Sequence, residues 1–358
     1  MNLYATPGSP SARMARILAL LICTLPAAVR AEPLAESEEA LRKRDVPGAL
    51  RILEGAAAAG NVAAKGRLAS YLRTLPPPHR NWERACPLAR EASAAGDATG
   101  SVTRAECLMT GAEPAPQPFV LARELARNTL KAGFAPGGFT LYMAYSLDPK
   151  YRYHGADGKA DPARYAALAA LPLSARGEQV EAFDGLAQAL SAGHVNASLM
   201  ALAYLSDSSA PGNIDRVIGL GAILNKFKVQ LTEQLTASVK VAQEIKRLGK
   251  THASVSAFRN AYTSALTGAV FQMRGLADNN ACDLKEIKLV QVAAEPVHDA
   301  EFLPISRPPL VSTYLVRGNW IESWTFTGCE KTAVLRMEFS ADGWSGAHFK
   351  TTYKPKAK

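Results

Sequence analysis

Aromatic side chains are scarce in this chain and make up 7% of its 358 residues. Sheet proteins draw on aromatic and β-branched residues, whereas the alanine that is common here suits closely packed helices. Charged residues reach only 20% and apolar residues 48%, which excludes general disorder. The chain is long enough for two domains with cores of their own, and we expect most of it to be helical.

Long apolar runs and dense blocks of one charge are also missing. No run beyond the N-terminus approaches the ~20 apolar residues of a membrane-spanning helix. The net charge is +9, but the basic residues are scattered along the chain. The lack of long apolar runs predicts no membrane span in the mature chain. The scattered basic residues indicate solvated helix faces, so nucleic acid binding is not predicted either.

Sequence motifs of catalysis and metal binding are not found. None of the six histidines stands in a His-Glu-x-x-His spacing. There is no Gly-x-Ser-x-Gly turn, no Ser-x-x-Lys and no phosphate-binding loop with its lysine. We therefore predict no catalytic residue, no metal site and no cofactor.

The N-terminus has the order of a secretory signal peptide. Arg13 and Arg16 precede the apolar run 17–29, and Val29-Arg30-Ala31 places small residues around a cleavage site. We predict a signal peptide over residues 1–31, cut after Ala31; a buried N-terminal helix is the alternative. The predicted location is the periplasm of a Gram-negative bacterium, or the medium outside it.

An alanine-glycine pair recurs at the end of four amphipathic runs, with small and apolar residues at fixed distances behind it. The pairs are Ala59-Gly60, Ala95-Gly96, Ala132-Gly133 and Ala192-Gly193. Four positions after each glycine stand Ala64, Gly100, Gly137 and Ala197, and twelve positions after it stand Leu72, Leu108, Tyr145 and Leu205. Glycine just past a helix end adopts the left-handed conformation that terminates the helix. The pattern predicts pairs of helices that approach closely after each turn.

These recurring residues resemble the Sel-one-like repeat, a relative of the tetratricopeptide repeat. The resemblance implies a mainly α fold, an αα-hairpin superhelical solenoid, over residues 32–230. The sequence departs from the family where Leu75-Pro76-Pro77-Pro78 replaces its usual Gly-x-Gly loop. An irregular helical bundle is the alternative, and residues 231–279 are predicted to add further helices.

A solenoid of this kind presents its first helices on a concave face, where arginine and tyrosine are favoured binding residues. The resemblance therefore implies a candidate binding surface for a partner protein. Its residues are Arg67, Tyr71, Arg104, Tyr142, Tyr145 and Tyr204. The alternative is that most of these tyrosines fill the core between repeats.

Four cysteines remain once the signal peptide is removed, and an oxidising compartment favours two disulfides. Cys86 lies ten residues before Gly96 and Cys107 eleven after it. A chain reversal at Gly96 brings the two cysteines to the same height on neighbouring helices, so a disulfide is predicted; two free buried thiols are the alternative. Cys282 and Cys329 form the second predicted pair, for which a metal site is the weaker alternative.

The pattern changes to strands after residue 280. Trp320, Glu322, Trp324 and Phe326 alternate along one strand and share a face. We predict a small, disulfide-stapled β-rich domain over residues 280–358. The stretch 322–329 resembles a C-terminal module of exported bacterial proteins whose function is not established.

The predicted function is a non-catalytic protein-protein interaction scaffold or adaptor in the cell envelope. An extended helical surface without catalytic motifs favours it, in part by analogy with the fold. The alternative is a peptidoglycan- or glycan-binding protein, or a cell-wall enzyme, that uses the tryptophans of the C-terminal domain.

Overall fold

The computed structural model describes residues 32–152, 159–274 and 284–352. The predicted signal peptide, residues 1–31, lies outside them, and so does Cys282. The chain forms two compact units that divide between Phe134 and Ala135. It is mainly helical and ends in a mixed sheet.

Unit 1 is built from helices joined by short turns. They are α1 (32–42), α2 (Val46–Ala58), α3 (Val62–Thr74), α4 (Trp82–Ala94), α5 (Ala98–Met109) and α6 (Pro118–Lys131). From α2 onwards each helix packs on the next, and α3 also packs directly on α5. The apolar core of the first helices includes Leu53, Leu68 and Leu72. This is a repeat-like arrangement of helices.

The alanine-glycine pairs end helices as predicted. Gly60 and Gly96 have φ of 86° and 85°, in the left-handed region. The next residue begins the following helix: Asn61 and Asp97 accept a hydrogen bond through their side chains from the amide three positions on. The small residues after the turns (Ala64, Gly100, Gly137 and Ala197) and the apolar ones (Leu72, Leu108, Tyr145 and Leu205) are all buried. A Cβ at Gly100 would lie 2.5 Å from the Cβ of Ala92, so α4 and α5 can approach only because glycine stands there.

Unit 2 contains the remaining helices and all the strands. The helices are α7 (Pro136–Ser146), α8 (Pro162–Ala169), α9 (Gly177–Ser191), α10 (Val195–Asp207), α11 (Asn213–Lys226), α12 (Glu233–Leu248) and α13 (Val255–Arg274). Short 3₁₀ turns cover Pro149–Tyr151, Leu173–Ala175 and Leu284–Glu286. The strands are β1 (Gly249–Lys250), β2 (Lys288–Ala294), β3 (His298–Phe302), β4 (Leu315–Gly328), β5 (Lys331–Ala341) and β6 (Ala347–Thr352).

The long strand β4 organises the sheet. It pairs along its whole later length with β5, which pairs with β6. On its other edge β4 pairs with β3 near its start, at Leu315, and with β2 towards its end, at Thr327. These pairings are antiparallel, whereas β1 adds to β2 in parallel. The sheet order is β1-β2-β4-β5-β6, with β3 beside the first part of β4.

One face of the sheet is covered by α13, and together they form the core of unit 2. Phe258 stacks on Trp324 with ring centroids 4.4 Å apart, and Tyr262 lies near Phe326. The same apolar core extends through α9, α10, α11 and α12. The predicted boundary near residue 279 lies outside the described residues; α13 before it and the strands after it contribute to one apolar core.

The strands differ from the sequence prediction in three places. Alternation along the sequence predicts two separate strands, Leu310–Arg317 and Asn319–Thr327. Instead one strand, β4, begins at Leu315 and continues to Gly328, so residues 310–314 are not part of it. Residues before it form a turn in which the Thr313 hydroxyl donates to the Leu310 carbonyl. Strands β3 and β6 were missed: β3 is mostly exposed, so it lacks the alternation of buried and exposed residues that identifies a strand.

The first predicted disulfide is confirmed. Cys86 on α4 is bonded to Cys107 on α5, and their Cα atoms are 5.9 Å apart. The bond ties two consecutive helices together across the turn at Gly96. The second pair stays a prediction, because Cys282 lies outside the described residues.

Replacing both Cys86 and Cys107 by alanine should lower the free energy of unfolding of unit 1 by about 3 kcal/mol, because the bond closes a loop of 21 residues. Hydrogen exchange of the α4 and α5 amides in denaturant measures the effect. The α13 amides of unit 2 serve as the internal control and should be unchanged. Equal protection of α4 and α5 in both proteins would contradict the prediction.

Candidate functional site

Arg67 and Tyr71 form a half-exposed pair one turn apart on α3. The Arg67 guanidinium carbon lies 5.9 Å from the centroid of the Tyr71 ring, and Arg67 pairs with Glu38 at 3.4 Å. Burial raises the pKa of the Tyr71 hydroxyl, while the charge of Arg67 opposes that shift. The neutral phenol therefore offers an apolar ring and a hydroxyl beside a cation at the surface of unit 1.

Arg104 lies on α5, which packs beside α3. Its guanidinium is 3.1 Å from Glu113, whose carboxylate is almost fully buried. Arg90 on α4 reaches the same carboxylate at 3.2 Å. Arg104 is thus held in place by an ion pair and keeps about a fifth of its side chain exposed.

The other three predicted binding residues lie in the interior of unit 2. Tyr142 and Tyr145 on α7 are buried, and the Tyr142 ring packs edge-on against Phe183. Tyr204 on α10 lies 4.7 Å from Phe183, and its hydroxyl is 3.2 Å from the Thr313 hydroxyl. Burial raises the pKa of the Tyr204 hydroxyl well above its usual range. Tyr142 and Tyr145 therefore lie in the core, and Tyr204 is partly buried and packs against it. Arg67, Tyr71 and Arg104 are partly exposed in unit 1.

The alternating face of β4 is also internal. Trp320, Trp324 and Phe326 are fully buried, so these three side chains do not present an aromatic face to solvent. Glu322 lies between the tryptophans and is itself fully buried. Its carboxylate accepts hydrogen bonds of 2.9 Å from both indole N–H groups. The Thr251 hydroxyl and the His252 amide, which precede α13, donate to it at 2.7 and 3.0 Å.

A site that sequence reasoning missed is a groove in unit 2, here called the apolar groove. Its volume is about 670 Å³, within the range of small-molecule sites. Helices α10 and α11 form its walls, and Pro309 lies at its edge. The residues that define it are Val195, Arg216, Leu220, Ile223, Phe227 and Pro309. Ile223 and Phe227 are 53% and 72% exposed, so α11 keeps an uncovered apolar stripe. The sequence does carry a signal for this stripe, because the apolar residues at 220, 223 and 227 are three and four positions apart and so lie on one face of a helix.

Among the described residues that line the apolar groove, Arg216 is the one that is ionisable. Its guanidinium donates to the carbonyl of Pro211 and to the side chain of Asn213, both at 3.0 Å. It also donates to the carbonyl of Val311 at 3.4 Å. All three acceptors are neutral, and no carboxylate of the described residues pairs with this cation.

Neither a metal centre nor a membrane span is found in the described part of the chain. Within residues 32–152, 159–274 and 284–352, no three acidic, histidine or cysteine side chains lie close enough to hold a metal ion. None of the helices in this part of the chain is long and apolar enough to cross a bilayer.

Comparison with known proteins found no match: no family model, no curated protein and no solved structure is similar to this chain.

Removing the Glu322 carboxylate should destabilise unit 2 by about 3 kcal/mol or more, because four buried donors lose their acceptor. Denaturant unfolding of Glu322→Ala, followed by tryptophan fluorescence, measures this. The control is Glu338→Ala on β5, an exposed residue whose loss should change stability by less than about 1 kcal/mol. Similar unfolding midpoints for the two variants would refute the role given to Glu322.

Unit 1 should lose stability as the pH rises through 7. Glu106 on α5 pairs with Arg73 on α3 at 2.6 Å, yet burial raises the pKa of its carboxyl to about 7. The folded unit therefore binds a proton that the unfolded chain has lost above pH 4.5, so stability falls between pH 4.5 and 7. The loss is at most about 3 kcal/mol.

Glu106→Gln removes this titration, so its stability relative to the unaltered protein should rise between pH 5 and pH 8. Arg73 loses its charged partner in this variant, which lowers the free energy of unfolding by the same amount at every pH and does not change how it depends on pH. Glu54→Gln is the control, since Glu54 forms an exposed ion pair with Arg84. A stability difference for Glu106→Gln that is the same at both pH values would rule out the raised pKa.

Proposed function

We propose that the protein is an exported, non-catalytic scaffold or adaptor of the cell envelope that binds a partner protein. Its helices are degenerate relatives of the Sel-one-like repeat and form a solenoid. The support for that kinship is local: left-handed glycines at 60, 96, 133 and 193 recur with a buried small residue four positions later. Export after a cut at Ala31 fits the order of charge and apolar residues at the N-terminus.

The observation that carries the proposal is the half-exposed pair of Arg67 and Tyr71 on α3. A third residue, Arg104, is partly exposed on α5, the helix that packs on α3. Arginine and tyrosine are the residue types most enriched among those that dominate binding at protein interfaces. Here they are held in place before binding, since Arg67 contacts Tyr71 and Glu38, and Arg104 contacts Glu113. Fixed side chains lose less conformational entropy when a partner docks.

The test is site-specific photo-cross-linking in the native cell. A photoreactive phenylalanine at position 71 should capture one reproducible envelope protein, whereas the same group at position 84 on α4 should not. Arg67→Ala and Arg104→Ala should each lower the capture at position 71 about tenfold, as expected for residues that dominate an interface. Arg84→Ala is the matched control, because it removes only an exposed ion pair with Glu54.

The same sample tests export. Mass spectrometry should find Glu32 as the first residue of the mature protein. Equal capture at positions 71 and 84, or capture that Arg67→Ala and Arg104→Ala leave unchanged, would reject this surface as the partner site. An uncleaved N-terminus would reject the proposed export, but it would not bear on the partner site at Arg67, Tyr71 and Arg104.

A further inference from the structure

The apolar groove joins a long apolar wall to a single cation, a combination that the scaffold function does not use. Arg216 lies in the first turns of α11, and Phe227 follows its last residue. The eleven residue steps from Arg216 to Phe227 span about 16 Å along the helix. A length of this order holds an extended alkyl chain of roughly a dozen carbons, since each carbon-carbon bond is about 1.5 Å long.

The guanidinium of Arg216 is held in place by neutral hydrogen-bond acceptors, so it can pair with an anionic group of a ligand. The Arg216 guanidinium is held by the Pro211 and Val311 carbonyls and by Asn213, which is itself buried. Asn213 is fixed in turn, because its amide donates to the carbonyls of Ser208 and Thr313. The planar guanidinium matches the two oxygens of a carboxylate better than an ammonium group would.

The wall of the groove is also open at its centre. A Cβ added at Gly219 on α11 would meet no atom within 4 Å. Leu220 lies beside it and Ile223 one turn further on, so the space in front of Gly219 has apolar walls. Acidic side chains are missing among the described residues that line the groove, so nothing there would repel an anion.

We propose that the apolar groove binds one free long-chain carboxylate, with its alkyl chain along α11 and its carboxylate on Arg216. Charge complementarity selects this occupant, since the groove offers one cation and otherwise apolar walls. The volume of about 670 Å³ fits a single chain of this kind.

The test is calorimetric titration of the folded, full chain with octanoate, decanoate, dodecanoate and tetradecanoate. Each added methylene should raise the affinity about three- to fourfold until the groove is full, near twelve carbons. Dodecanol, which lacks the carboxylate, should bind at least tenfold more weakly than dodecanoate. Equal affinity for dodecanol and dodecanoate would overturn the role of Arg216 and the proposal with it.

Two variants separate the two ends of the site. Arg216→Gln should weaken dodecanoate at least tenfold and leave dodecanol unchanged. Gly219→Leu fills the open space and should abolish the binding of both, without touching the contacts of Arg216. Gly55→Leu on α2 is the matched control, because Gly55 is also helical with free space around it and lies in unit 1. Thermal unfolding of each variant shows that it is folded.

Other occupants give different results, and each overturns the proposal. Binding to phosphatidylglycerol vesicles without binding of free dodecanoate would identify a membrane surface instead. Dimerisation that Gly219→Leu abolishes, with no dodecanoate bound, would make the groove an interface between two copies. Dodecanoate binding that Gly219→Leu leaves intact would place the ligand elsewhere. None of these results bears on cross-linking at position 71, so the two proposals can fail separately.

Discussion

The fully buried carboxylate of Glu322 joins strand β4 to the segment that leads into helix α13. It accepts hydrogen bonds from two indoles on its own strand and from Thr251 and His252, which lead into α13. A buried charge with no cation beside it is tolerated only when its oxygens are well hydrogen-bonded, and here four donors do this. Burial lowers the pKa of the His252 imidazole, which disfavours its charged form. The start of α13 is thereby tied to β4, and α13 lies over the inner face of the sheet.

This constraint explains why the C-terminal strands are not an independent module. With Glu322 bonded to the segment before α13, the tryptophans on either side of it must face that helix. Their burial gives the sheet an apolar face that only helices cover, and the core continues through α9 to α12. A β domain held mainly by its own disulfide, as the sequence suggested, is unnecessary when helices supply the missing half of the core.

Local chemistry could be predicted from the sequence, whereas the direction in which a face points could not. The helix ends at Gly60 and Gly96 depend on one residue and its neighbours, and the bond between Cys86 and Cys107 follows from where the chain turns. Alternation showed that Trp320 and Trp324 share a face, but a period of two does not say whether that face meets water or a helix. Likewise Tyr142 and Tyr204 stand on the expected helices, yet long-range packing of both rings against Phe183 makes them part of the aromatic packing of unit 2. The apolar groove escaped prediction for the same reason: helical spacing marks an apolar stripe and does not show that it lacks a cover.

The helical glycines of unit 2 differ in whether close packing of neighbouring helices requires them. Gly138 on α7 and Gly185 on α9 lie back to back, and a Cβ at Gly138 would lie 2.2 Å from the Gly185 carbonyl oxygen. A Cβ at Gly138 therefore cannot be accommodated unless the helices move apart, whereas a Cβ at Gly185 would make a tight contact of 3.0 Å with the Gly138 carbonyl oxygen. At Gly219 nothing stands within 4 Å, so packing does not require glycine there. An interior glycine destabilises a helix by about 1 kcal/mol relative to alanine. Gly219 lies in the middle of the groove wall that leads from Arg216 to Phe227, so a larger side chain there would occupy the space proposed for the ligand.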